Sequence, residues 1–177
     1  MIYQGRGHRF GDDVSTDDII AEHYKARAAD VNELARFAFA DFAPGFAERV
    51  RRGDLVVGGR NFGCGSAREA APHVLKASGV SCVLAQSFGR IFFRNAINIG
   101  LPIAECDTTG IRDGDEVAVD LVAGTVRNLT HGTQVVAAPL PAVMAAILAE
   151  GGIAGYLRKH GDLVLPPEPA LHSRQPK

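Results

Sequence analysis

The sequence lacks an excess of charge of either sign: 19 Lys+Arg stand against 20 Asp+Glu, a formal net charge of −1. Nucleic-acid binding loses its electrostatic basis, because phosphate neutralisation needs a basic surplus or a basic block. No apolar run approaches the ~20 residues of a membrane span, and the first residues lack the apolar stretch of a secretory leader. Cysteine is scarce. Three residues, Cys64, Cys82 and Cys106, make neither a disulfide framework nor a C-x-x-C cluster motif. The six histidines, at 8, 23, 73, 131, 160 and 172, show no metal-ligand spacing. These absences predict a reduced, cytoplasmic protein with no metal site of its own.

What is present is enough apolar material for a core, with 46% hydrophobic and 22% charged residues in 177. That length predicts one domain, residues 1–165, followed by a disordered tail over 166–177 that opens with Pro-Pro-Glu-Pro. Twenty glycines and nine prolines sit at punctuating positions, which favours short strands and tight turns. Residues 4–10 read as a strand, 11–13 as a turn and 22–30 as a polar loop. From Val31 the spacing of Leu34, Phe37, Ala38 and Phe42 predicts one helix, with Asp30 as N-cap. Strand 55–57, a helix over the 70s, strand 80–85 and helix 91–99 form a βαβα rhythm that argues for parallel pairing. Strands over 116–122, 125–129 and 134–138 read as a meander. Residues 139–149 form the last predicted helix, ended by Gly151-Gly152.

The informative segment follows the strand at 55–57: four glycines and a serine among the nine residues 58–66. A strand that empties into a glycine-rich turn and then a helix gathers free backbone N–H groups at a positive helix end, where anions bind. A serine among such donors has its alkoxide stabilised, and an adjacent arginine can hold a carboxylate bidentately. Ser66-Ala67-Arg68-Glu69 also fits the S-x-x-E capping box, in which Ser66 only satisfies a backbone donor. That reading leaves Pro72 inside the helix at a cost of about 3 kcal/mol. A helix starting near Ala70 removes the conflict and leaves Ser66 in the loop. On spacing alone both readings stand.

Three motifs in order carry a resemblance. They are Gly11-Asp12-Asp13-Val14-Ser15-Thr16-Asp17-Asp18-Ile19-Ile20, then Gly59-Arg60-Asn61-Phe62-Gly63-Cys64-Gly65-Ser66-Ala67-Arg68-Glu69, then Ser87-Phe88-Gly89-Arg90-Ile91-Phe92-Phe93-Arg94-Asn95 continuing to Pro102. Over roughly residues 5–155 the chain resembles the small subunits of 3-isopropylmalate dehydratases, the swivel domain of the aconitase superfamily. The resemblance implies an α/β fold, a three-layer β/β/α swivelling domain. It also implies a hydro-lyase that moves a hydroxyl between adjacent carbons of a malate-type di- or tricarboxylic acid. The family's [4Fe-4S] cluster is held by a separate large subunit, and none is bound by the small one. Carried over by position, Ser66 is the base, Arg68 grips a substrate carboxylate, and Gly65 and Ala67 flank them in the substrate-binding set. Where many relatives have Ser-Ser-Arg-Glu-His, this chain has Ser66-Ala67-Arg68-Glu69-Ala70. The segment expected to read the variable part of the substrate contains Tyr24, Lys25 and Arg27.

An arginine there suits an extra carboxylate, so a homoaconitase or a dehydratase for a methyl-substituted malate is the alternative within the class. A module binding phosphate or a nucleotide is the alternative outside it. The loop, however, is not G-x-G-x-x-G and lacks the P-loop lysine. Arg90 and Arg94, one helical turn apart, are expected to be structural or to face a subunit interface. The cysteines are expected to be structural.

Overall fold

The computed structural model describes residues 1–66 and 69–163; the tail expected from 166 lies outside them. In chain order the elements are β1 (Ile2–Arg9), α1 (Thr16–Ile19), a 3-10 turn (Glu22–Arg27) and α2 (Val31–Leu34), which runs into a second 3-10 turn (Ala35–Phe37). Then come α3 (Phe46–Arg49), β2 (Leu55–Val57), α4 (Ala70–Ala77), β3 (Cys82–Ala85), α5 (Arg90–Ile99) and β4 (Ile103–Glu105). The chain ends with β5 (Glu116–Asp120), β6 (Thr125–Asn128), β7 (Thr133–Val136), α6 (Ala142–Ala149) and α7 (Ile153–His160).

The strands join in the order β4-β3-β2-β1-β5-β6-β7. β2 and β3 pair in parallel, as the βαβα rhythm predicts, β1 and β4 extend the parallel set on either side, and β5 to β7 form the antiparallel meander. β1 belongs to both halves: it pairs parallel with β2 and antiparallel with β5. Alternation along the strands then sorts two cores. Val56, Val83, Ala85 and Ile103 face the helices, packed with Leu75, Phe92 and Ile97. Leu55, Val57, Cys82, Leu84 and Ala104 face the other way, against Val117, Val119 and Val126 of the meander. The result is the β/β/α layering expected. At the far end an antiparallel bridge between Cys106 and Ala137 brings the chain after β4 against the chain after β7, and the Ala138 N–H donates to the Glu105 carbonyl at 2.7 Å. The sheet therefore curls until its two ends meet.

Four readings need correction. The helix predicted from Val31 stops at Leu34 and gives way to a 3-10 turn. Phe39 then takes a φ of +55°, its ring stacked 4.2 Å from Phe10 and its N–H donating to the Ile19 carbonyl. Burial of that ring overrides helical periodicity. Asp30 does cap α2, accepting from the Asn32 and Glu33 N–H groups. Residues 22–27, expected as loop, are a 3-10 turn. β4 and α7 were not anticipated, so residues 139–149 do not hold the last helix. No helix among the described residues is long and apolar enough to cross a membrane.

Candidate active site

β2 delivers the chain into the loop at 58–66, and two other segments grip that loop from either side. The Gly59 N–H donates to the Gly11 carbonyl, and the Gly63 N–H to the Val14 carbonyl at 2.7 Å. Asp12 receives the Arg60 N–H at 2.8 Å and the Arg60 guanidinium through two bonds of 2.8 and 3.1 Å. Those donors, the backbone one foremost, hold the Asp12 carboxyl below the ordinary carboxylate range. Asp13 accepts from the Asn61 amide at 2.8 Å. On the other side the Asn61 N–H donates to the Ser87 hydroxyl oxygen and the Phe62 N–H to the Ser87 carbonyl. The Gly89 N–H in turn donates to Phe62. Phe62 is fully buried, edge-on to Phe88 and Phe92.

These bonds change one expectation. The N–H groups of residues 58–63 are all bonded within the fold, so the anion nest predicted along the loop does not lie there. The glycine-rich beginning of the loop is scaffold. Its end is different: Gly65, at φ +97°, turns the chain, and Ser66 is exposed. α4 then starts at Ala70, with Glu69 at the N-cap and no side-chain capping bond. Ser66 is therefore not the cap, and Pro72 sits in the first turn, where its missing N–H is no loss. Arg68 and Ala67 lie outside the described residues.

Residues 14–105 match the aconitase C-terminal domain family. A 3-isopropylmalate dehydratase small subunit from Methanosarcina acetivorans is 52% identical over 157 residues, covering 88% of this chain and 96% of that protein. The 3-isopropylmalate dehydratase small subunit 2 of Archaeoglobus fulgidus is 50% identical over 163 residues, covering 92% and 99%. The crystal structure of a 3-isopropylmalate dehydratase chain from Methanocaldococcus jannaschii superposes with a TM-score of 0.87 at 42% identity, covering 91% of this chain and 96% of that one. The chain belongs to the 3-isopropylmalate dehydratase small-subunit family.

Within this family member, the three motifs that carried the resemblance are the three segments that interlock. Asp12, Asp13 and Ser87 belong to those motifs, and their task is to hold the loop. Tyr24 and Arg27 stand elsewhere, on the turn at Glu22–Arg27. The Tyr24 ring stacks on Phe37 at 4.6 Å, and its hydroxyl donates to Asp41 at 2.6 Å, which pushes the phenol above its ordinary value. The Arg27 guanidinium sits 5.5 Å from the Tyr24 ring centre, and Lys25 pairs with Glu22 at 2.9 Å. Among the described residues, the hydrogen bonds and ring contacts of Tyr24 and Arg27 do not reach the 58–66 loop.

The cysteines do not fit an iron–sulfur cluster. Cys82 and Cys106 are buried between the sheet layers, where burial raises both thiols, Cys106 to about 12, against thiolate formation. Cys64 donates to the Asp13 carbonyl and is also raised, by burial first and then by Asp13. Among the described residues no group of three or more His, Cys, Asp or Glu is placed to hold a metal ion.

Proposed function

We propose that this chain is the proton-transfer half of a heteromeric hydro-lyase that interconverts 2-isopropylmalate and 3-isopropylmalate, a step of leucine biosynthesis. Ser66 removes the proton from the substrate carbon, the hydroxyl leaves the neighbouring carbon, and an alkene forms. In the return step Ser66 gives the proton back while hydroxyl adds at the other carbon. A free serine hydroxyl is a very weak base. On this reading Arg68 supplies the positive charge that Ser66 needs and, with Gly65 and Ala67, holds a substrate carboxylate. The [4Fe-4S] cluster belongs to the large subunit. Residues 1–165 work as a single swivel domain that closes on that subunit in the cytoplasm.

The placement of Ser66 carries this reading: exposed, at the end of a loop bonded down on both sides, in a chain of this family. Tyr24 and Arg27 contact the variable part of the substrate. The isopropyl reading is supported over an extra carboxylate because the relatives at 50–52% identity are 3-isopropylmalate dehydratase small subunits. A nucleotide-binding module is disfavoured, since the N–H groups of 58–63 are spent within the fold.

The test is co-expression with the large subunit, anaerobic reconstitution with iron and sulfide, and assay of 3-isopropylmalate, homocitrate and citramalate-type acids. Turnover of 3-isopropylmalate is expected from the complex and from neither subunit alone. Ser66→Ala should lose at least about 100-fold in kcat, the scale of a general base. Turnover retained in Ser66→Ala would remove the base assignment, and turnover of homocitrate alone would move the substrate assignment to the homoaconitase class.

A further inference from the structure

Thr16 is the one residue outside the 58–66 loop that bonds to both sides of Gly65 among the described residues. Its N–H donates to the Cys64 carbonyl at 2.8 Å. Its hydroxyl donates to the Ser66 carbonyl at 3.1 Å. A Cβ on Gly65 would lie 3.5 Å from that hydroxyl oxygen, so the side chain is packed directly on the turn. Thr16 is 2% exposed, and its own placement is fixed. It opens α1, whose cap Ser15 accepts from the Asp18 N–H while its own N–H and hydroxyl both donate to the Asp18 carboxylate at 2.7 Å. Ser15 also bridges Cys64 in parallel.

We infer that Thr16 is a positioning residue for Ser66, holding the peptide unit that follows the base so that its hydroxyl faces the substrate carbon. This inference rests on the reading of Ser66 as the base. The backbone bond to Cys64 fixes where the turn begins, whatever residue stands at 16. The hydroxyl reaches its end, at the carbonyl of the residue that does the chemistry. A base displaced by a fraction of an ångström still lets substrate bind, so the loss falls on the proton-transfer step.

The experiment uses the assembled complex with its cluster, comparing Thr16→Val, Thr16→Ser and Ser66→Ala. Thr16→Val keeps the shape and removes the hydroxyl; Thr16→Ser keeps the hydroxyl. The readouts are kcat, KM, assembly with the large subunit, melting temperature, and the primary deuterium isotope effect with substrate labelled at the reacting carbon. Thr16→Val should lower kcat roughly tenfold with KM within about twofold, the size of one lost hydrogen bond expressed at the transition state. The isotope effect should rise as proton removal becomes more rate-limiting, and Thr16→Ser should restore both. Unchanged kcat and isotope effect in Thr16→Val, or a Thr16→Ser as impaired as Thr16→Val, overturns the inference. So does a Thr16→Val that fails to fold or assemble while Thr16→Ser is normal, since the hydroxyl then serves stability. If Ser66→Ala itself turns over normally, the reading of the base has failed instead, whatever Thr16 does.

Discussion

Gly63 shows how one residue sets the loop's path. Its φ is +74°, and a Cβ there would fall onto the Phe92 ring of α5. Any side chain meets both a backbone penalty and a steric one. Gly63→Ala should destabilise the chain by about 2 kcal/mol or more, read as a lower midpoint in urea at unchanged slope. An unaltered midpoint would mean that α5 moves aside freely and does not fix the loop. The glycine pattern at 58–66 is plain in the sequence. That Gly63 rests on a phenylalanine 29 positions on, or that Asp12 clasps Arg60 across 48 positions, is not. Such partners are chosen by the three-dimensional fold and leave no local spacing to read.

Between elements, the turn before β5 is tied to β6 by Asp115. Its carboxylate accepts the Arg112 N–H at 2.8 Å and the Asn128 amide at 2.7 Å, with His131 at 3.2 Å. Burial alone would raise this carboxyl, yet the Arg112 and Asn128 donors and the His131 charge outweigh it and hold it low. A depressed carboxyl stabilises the fold fully above the unfolded value near pH 4, and the contribution drains as pH falls through the lower folded value. The melting temperature should therefore drop below about pH 4, and Asp115→Ala should show a smaller acid drop. At neutral pH that variant should be weaker by about 1–3 kcal/mol, because it strands a buried amide. Melting curves from pH 2 to 7 that run parallel for both proteins would refute this. The elements themselves were legible where periodicity governs them, as in β1 to β3, the meander, α4 and α5. β4 follows directly on Pro102, and its Ile103-Ala104-Glu105 lacks the all-apolar, β-branched run by which the equally short β2 announces itself. α7, which starts after Gly151-Gly152 and contains Gly155, is hidden by its glycines although Ile153, Tyr156 and Leu157 have helical spacing.

Across the whole molecule, the parallel strands are the shared wall of two cores, so neither core can melt while the other stands. Leu84, fully buried in the core between the sheets, sits beside Val83 and Ala85, which face the helices. Leu84→Ala should lower stability by about 2–5 kcal/mol and shift one cooperative transition. Two separate transitions, followed by far-UV signal and by tyrosine fluorescence, would show that the layers unfold independently. The bridge from Cys106 to Ala137 matters on the same scale for a different reason. A small subunit made ahead of its partner must wait in solution, and an open sheet would offer its border strands as templates to other copies. Here the seam is closed only past the strand ends, by that bridge and the Ala138–Glu105 bond, so the exposed outer edge of β7 is the stretch of backbone an orphaned subunit would offer to other copies while its other half is still being made.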